Sequence, residues 1–369
     1  MNAKTIEEAH EAFNSFINCM TKKDRIAIFH DTDGDGLCSA GLALKALDKL
    51  GLKVILTLER GREEIFPSDE TIAKLKKHQI NKLITLDKSV YLGPQSINDI
   101  EKFADVLIID HHGTPENIQT KMTVMIIPQL FMEPSEKPNA YDTTQLVYDF
   151  FSELVDLEEF DWLAFGAIHD VPWGNEFTKK ILKKYKMDSS EDPWETPLGM
   201  TMQYISLASI YDKSSPRRVV EELHKAETYE DILNSDLKPM RDEVNKEIEW
   251  HIENFEHEAQ WVGDTAFYQI NPKYKINSPF ITIMSIKRHP DKTLVIITDY
   301  PGDKFRISLR RHDGKKDMNK LIQEISKDLS GVTGGGHPAA TGAWVPKKDL
   351  KQFKKLVEWI SGSGLIDIR

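Results

Sequence analysis

Cysteine is almost missing: Cys19 and Cys38 are the only two in 369 residues. Two thiols exclude a disulfide scaffold and are too few for a thiolate zinc site. Both read as small buried hydrophobes. No apolar run approaches the roughly 20 residues that cross a bilayer. The stretch Met1–Glu8 lacks the apolar core of a secretory signal. A cytoplasmic chain without membrane partners is therefore expected. Positive charge is also scarce, with 48 Lys and Arg against 59 Asp and Glu, for a net charge of −11. That balance argues against a broad, sequence-independent grip on duplex nucleic acid, which depends on neutralising phosphates. A short or local polyanion stays open, because acids that hold cations count as negative while the cations are invisible to the sum. Internal repeats and low-complexity tracts are absent as well.

What is present is enough apolar residue, 40%, for two sizeable cores. In the first half, apolar runs alternate with helical patterns. Strands are expected at Arg25–His30, Val54–Leu58, Lys82–Asp87, Val106–Asp110 and Val124–Ile127, and helices at Leu37–Leu50 and Asp69–His78. Alternating strands and helices read as βαβ units, hence an α/β fold with a parallel sheet flanked by helices. Thr143 to about Leu223 reads as helical, with a Pro/Trp-rich break at Ser189–Pro197. A long polar helix, Lys238–Gln260, follows. Strands return at Ala266–Ile270, Leu294–Thr298, Lys304–Leu309 and Ala343–Val345, with helices at Lys316–Leu329 and Lys347–Ile360. The expectation is a two-lobed chain: a larger domain over 1–225, a helical linker over 226–262, and a smaller mixed α/β domain over 263–369, with a cleft between the lobes.

Ligands of parallel sheets sit outside the carboxyl ends of the strands. The chemistry-bearing residues of this chain fall there. Asp31, Asp33 and Asp35 follow the first strand at a step of two, which in extended backbone turns the three carboxylates to one side and His30 to the other. Gly34 and Gly36 let the chain turn into the next helix. An EF-hand loop also begins Asp-x-Asp-x-Asp-Gly, but its twelfth position is Leu42 here, and a strand precedes it. Asp87 ends the third strand, Asp110-His111-His112 the fourth, and Asp170 follows the apolar segment within Ala167–Val171. Hard oxygen ligands with imidazole suit Mn²⁺, Mg²⁺ or Zn²⁺. Two basic stretches, Lys179–Lys186 with Tyr185 inside it and Lys347–Lys355, have a pattern compatible with single-strand tracking, although each reads first as a solvated helix face.

Taken in order, three aspartates, one aspartate, Asp-His-His and one aspartate resemble the DHH phosphoesterase superfamily. Gly334-Gly335-Gly336-His337-Pro338-Ala339-Ala340 resembles the glycine-rich signature of its associated DHHA1 domain, and Ile307-Ser308-Leu309-Arg310 is similar to that domain's Ser-x-Arg strand. The resemblance runs from about Arg25 to Val345. The triple-aspartate form looks like the RecJ-type exonuclease branch, while the chain length is closer to archaeal RecJ-like proteins and nanoRNases. His30 is one residue out of register with the His-x-x-x-Asp-x-Asp form, which would put His at Phe29, and is given no ligand role.

The resemblance implies two Mn²⁺ ions, with Mg²⁺ or another divalent ion as the alternative. Asp31 and Asp33 would serve one, Asp35, His111 and Asp170 the other, and Asp87 would bridge them. Such a pair can activate water near neutral pH and clamp the attacking and leaving oxygens. His112 would face the phosphate as donor or proton shuttle, with Asp110 orienting an imidazole. Gly334, Gly335, Gly336, His337 and Arg310 would bind substrate, with Thr333 and Arg311 as lesser candidates. The expected activity is exonucleolytic hydrolysis of single-stranded DNA, RNA or short oligonucleotides to mononucleotides. Two alternatives stand: hydrolysis of a small nucleotide such as a cyclic dinucleotide or 3′-phosphoadenosine phosphate, and a non-catalytic scaffold associated with replication or repair proteins.

Overall fold

The computed structural model describes residues 5–59, 64–113, 116–133, 141–170 and 174–368; Met1–Lys4 and Val171, named above, lie outside them. The chain divides into two compact units, Met1–Arg241 and Asp242–Arg369.

In the first unit, α1 (Ile6–Asn18) precedes β1 (Ile26–His30), α2 (Gly34–Lys49), β2 (Val54–Glu59), α3 (Asp69–Lys77), β3 (Lys82–Leu86), α4 (Pro94–Glu101), β4 (Asp105–Ile109) and β5 (Thr123–Ile126). These strands form a parallel sheet in the order β2-β1-β3-β4-β5. The order reverses beside β1, which makes the β1/β3 edge the switch point of a doubly wound sheet. Each strand is an apolar run because both faces are covered. Alternation sends Ile26, Ile28, Ile84, Leu86, Leu107 and Ile109 into one core. Ala27, Phe29, Leu83, Val106 and Ile108 enter the other, against Ile72, Leu75, Ile97 and Ile100 of α3 and α4. Burying a side chain such as Phe29 contributes about 1.5–3 kcal/mol.

Helix α2 is buried from Gly34 through Leu47. Its Lys45 Nζ meets Glu227 Oε1 at 3.2 Å and lies 4.5 Å from the Phe160 ring centroid, so the buried charge is paired. The helical stretch beyond the sheet comprises α5 (Thr143–Ser152), α6 (Asp161–Ala164), α7 (Glu176–Lys184), α8 (Pro197–Ser209), α9 (Ser215–Lys225) and α10 (Tyr229–Leu233), then α11 (Leu237–Glu258). The expected break at Ser189–Pro197 is a tight turn, Pro193–Glu195, after which the Thr196 side chain caps α8.

The second unit adds β6 (Gln260–Val262), β7 (Thr265–Ile270), α12 (Asn277–Ile283), β8 (Thr293–Tyr300), β9 (Lys304–Arg310), α13 (Met318–Asp328), β10 (Thr333–His337), β11 (Ala340–Pro346) and α14 (Leu350–Gly362). Its sheet runs β10-β11-β9-β8-β7-β6; only β7 and β8 pair in parallel, so the sheet is mixed. Helices α13 and α14 cover one face, through Leu321, Ile322, Ile325, Phe353 and Val357. Two strands escape the sequence pattern. β6 is three residues long, and the glycine run, given no strand in the sequence pattern, is the extended edge strand β10. Cys38 is buried as expected, but Cys19, at the end of α1, is exposed.

Candidate functional site

Strand register builds the site. His30 pairs with Leu86 and Leu86 with Ile109. The next residue on each strand, Asp31, Asp87 and Asp110, is therefore level at the carboxyl edge of β1, β3 and β4. Backbone hydrogen bonds hold them there: Asp31 N donates to Leu86 O at 3.3 Å, and Asp87 N to Ile109 O at 3.0 Å. Asp87 sits at φ +58°, a left-handed conformation uncommon for residues other than glycine, though aspartate enters it more readily than most.

The first three aspartates do not stand in one extended run as alternation predicted, although the charges of both Asp33 and Asp35 reach Asp87. Extended backbone ends before α2, and each acid meets a different environment. Asp31 Oδ2 is held at 3.1 Å by Nζ of the buried Lys88. Asp33 caps α2, accepting from Gly36 N at 3.2 Å. Asp35, already helical, accepts from Thr143 N at 2.9 Å and Thr144 N at 2.8 Å, at the start of α5, where the helix dipole favours a carboxylate. The two glycines also act differently from the turn expected of them. Both lie in α2, where a Cβ on Gly34 would fall 2.2 Å from the His169 ring and one on Gly36 would fall 2.8 Å from Asp31 O. Close approach, rather than a turn, demands them.

His111 Nε2 stands among three carboxylates, 2.9 Å from Asp170 Oδ2, 3.5 Å from Asp87 Oδ1 and 3.9 Å from Asp35 Oδ2. Its Nδ1 donates to Tyr141 O at 3.1 Å, which leaves Nε2 facing the acids. His112 Nδ1 donates to Asp110 Oδ1 at 2.7 Å. Two groups of donor atoms each lie within 4.8 Å of one another: Asp35, His111 and Asp170, and Asp87, His111 and His112. The structure thus brings together Asp35, Asp87, His111, His112 and Asp170. Asp31 and Asp33 are outside both groups, and His30 is buried with its Nδ1 on Asp31 O.

The acids of this cluster act on one another through their charges. Burial, then the charges of Asp35, Asp33, Asp170 and Asp110, push the Asp87 carboxyl far above its usual range. Burial and Asp170 likewise raise Asp35. Burial opposes charge on His111, but the hydrogen bond to Asp170 and the charges of Asp35, Asp170 and Asp110 prevail and lift it to about 10. The residues fit a divalent metal: the donors are carboxylate and imidazole, and the buried Asp110 Oδ2 and Asp142 Oδ2 have no hydrogen-bond partner among the described residues.

Several participants gave little warning in the sequence. Lys88 follows Asp87 but is a common residue with no motif. Asp142, buried beside Asp35, caps α5 through Gln145 N at 2.8 Å; the Asp-Thr-Thr start of a helical pattern was its only signal.

In the second unit, Gly334 and Gly336 are forced by the neighbouring strand: a Cβ would meet Gly342 O at 2.3 Å or Ala340 O at 2.4 Å. Gly336 N donates to Asn319 Oδ1 at 3.2 Å. Gly335 has no such constraint, its nearest neighbour being Asn319 Oδ1 at 3.7 Å. Arg310 lies opposite Ala340 in the register and donates to Leu309 O at 2.9 Å, and His337 and Thr333 are exposed on β10. Arg311 is excluded from substrate contact, since Asp313 at 2.9 Å and Asp264 at 2.6 Å hold its buried guanidinium. Tyr185 is likewise engaged, its hydroxyl donating to Asp161 at 2.8 Å with Lys184 on the same carboxylate, so the first basic stretch offers no open stacking ring there.

Comparison with known proteins gives the family. Residues 25–166 match the DHH family N-terminal domain and residues 280–361 the DHHA1 domain, together more than half of the chain. This chain belongs to the DHH/DHHA1 superfamily. It is 27% identical over 103 residues to the single-stranded-DNA-specific exonuclease RecJ of Bacillus subtilis, a match spanning 28% of this chain and 13% of that protein. Among solved structures, the DHH domain of a member of a family of ribosomal proteins superposes with a TM-score of 0.70 at 16% identity, covering 98% of this chain and 90% of that one. An exonuclease RecJ bound to manganese gives 0.63 at 18% identity, covering 96% and 94%. At such identities the likeness is one of fold.

Proposed function

We propose that this protein is a divalent-metal-dependent phosphodiesterase that trims single-stranded nucleic acid or short oligonucleotides from an end. The observation that carries the reading is the buried Asp87, set in a left-handed conformation and crowded by four other acids. Such an arrangement is costly without a cation. The relatives called RecJ, one of them bound to manganese, support the substrate class and the metal.

Asp35, Asp87, His111 and Asp170 would hold the metal, with Asp33 and Asp31 adjoining. Bound divalent ions supply Lewis acidity toward phosphoryl oxygens. The chain's own residues do the rest. Tyr141 O fixes the His111 tautomer, so that Nε2 faces the acids. Burial works against a proton on His112, but the hydrogen bond and charge of Asp110 outweigh it and raise the imidazole. His112, its side chain half exposed and its Nδ1 committed, presents Nε2 as a proton donor to a leaving oxygen. Lys88 neutralises Asp31 and keeps that edge of the sheet from repelling a phosphate. In the second unit, Arg310, Gly335 and His337 would take a substrate phosphate, Arg310 by its fork of donors.

The test is hydrolysis of end-labelled DNA and RNA oligomers with Mn²⁺ or Mg²⁺, alongside Asp87→Asn. Removing a group that merely supports a metal ligand costs about 10- to 100-fold. Asp87→Asn is therefore expected to lose more than about a hundredfold, and to abolish the rise in melting temperature on adding Mn²⁺. Retained hydrolysis would overturn the assignment. Turnover of small cyclic or 3′-phosphorylated nucleotides with no shortening of any oligomer would overturn the substrate class.

A further inference from the structure

Strand alternation gives the second sheet an inner and an outer face. Phe305, Ile307, Leu309, Ala343 and Val345 enter the core. Lys304, Arg306, Ser308 and Arg310 of β9 therefore stand on the other face, with Gly342 and Trp344 of β11 beside them. Helix α12 covers the β7 and β8 part of that face, packing Phe280 and Ile281 with Leu294 and Ile296.

Toward the β8–β9 hairpin the face carries rings and cations. The Arg306 guanidinium lies 5.0 Å from the Trp344 ring centroid. A Cβ on Gly342 would fall 2.6 Å from Arg306 Nη2, so the guanidinium lies where Gly342 has no side chain. Tyr300 meets Trp344 edge-on, centroids 4.7 Å apart at 75°, and is 51% exposed. Asp299 on β8 is held at 2.6 Å by Lys347, and the exposed Asp303 of the hairpin turn is the other acid there. On a chain of net charge −11, Lys304, Arg306 and Arg310 along one strand make a locally basic surface.

The exposed Tyr300 and the half-buried Trp344 beside a guanidinium suit single-stranded nucleic acid, held without base pairing because each base offers a π-face. Four residue steps along the strand separate Arg306 from Arg310, about 13 Å. A phosphate at Arg310 and a base on Trp344 then belong to different nucleotides. We propose that Tyr300, Trp344 and Arg306 form a stacking subsite for a nucleobase beyond the nucleotide held at Arg310 and His337. The second unit thereby selects strands of two or more nucleotides over single nucleotides. The proposal rests on the reading of the function given above, and it names what that function acts on.

The experiment measures binding by the full chain in EDTA, so that hydrolysis plays no part. Probes are a fluorescein-labelled eight-residue oligothymidylate, read by anisotropy, and unlabelled thymidine 5′-monophosphate, read by calorimetry. Trp344→Ala is expected to weaken the eight-mer about tenfold, Trp344→Phe to restore most of the affinity, and the mononucleotide to bind all three equally. Tyr300→Ala, at a largely exposed position, guards against misfolding and is expected to weaken the eight-mer severalfold with unchanged circular dichroism. Equal eight-mer affinity for wild type and Trp344→Ala, or an equal loss for both probes, overturns the proposal. Because no metal is present, a tenfold effect in a protein that then fails to hydrolyse oligomers would sink the enzyme reading and leave the subsite standing.

Discussion

At the scale of single residues, the site is a set of charges in each other's way. Outside it, one acid shows the same physics in isolation. Asp149, on α5, is raised to about 6 by burial, against a weak opposing hydrogen bond from Gln145 Nε2 at 3.4 Å. Between about pH 4 and 6 this carboxyl is protonated in the folded protein and ionised in the unfolded chain. Its contribution to stability therefore falls as pH rises through that window and stays low above it. Asp149→Asn is expected to stabilise the protein at pH 7 by up to about 2 kcal/mol and to leave it unchanged at pH 3.5. Urea melts at the two pH values check this. The motif residues were legible in the sequence because their chemistry is unusual: two imidazoles after a carboxylate, and acids at strand ends. Lys88, Asp142 and the carbonyl of Tyr141 were not, since ordinary residues become participants only through what the fold sets beside them.

At the scale of elements, α2 shows how tightly the site is built. It starts where Gly34 touches the His169 ring, while His169 is held by Gly166 O at 2.9 Å and stacks edge-on against Trp194. Gly34→Ala overpacks this contact and is expected to cost about 1–3 kcal/mol. In a His169→Ala background the same change should cost little, because the clashing ring is gone; a double-mutant cycle measures the difference. The five parallel strands were readable to within a residue or two, since burial on both faces leaves continuous apolar runs. The β10 edge strand was not. Its glycines look like a loop because the residues that require them, Ala340 and Gly342 of β11, are known only once the strands pair.

For the whole molecule, an acidic chain that is to bind a polyanion, as proposed above, must confine its basic groups. Single-stranded binding loses about 0.7 in log affinity per log salt for each phosphate neutralised. With Lys304, Arg306 and Arg310 as the contacts, the slope for an oligothymidylate is expected near about −2. A slope steeper than about −5 would mean a far broader basic surface than this one. Among the described residues no helix is long and apolar enough to cross a membrane.

The sequence alone determined the α/β character, the strand order in the chain and the identity of the acids and imidazoles, because hydrophobic period and side-chain chemistry are local properties. Tertiary structure decided which of those acids share a site, that Lys88 neutralises Asp31, and that Arg311 is spent on Asp264 and Asp313. Those outcomes depend on strand register and on distances between residues far apart in the chain, and Coulomb interactions at about 3 Å cannot be read from spacing in sequence.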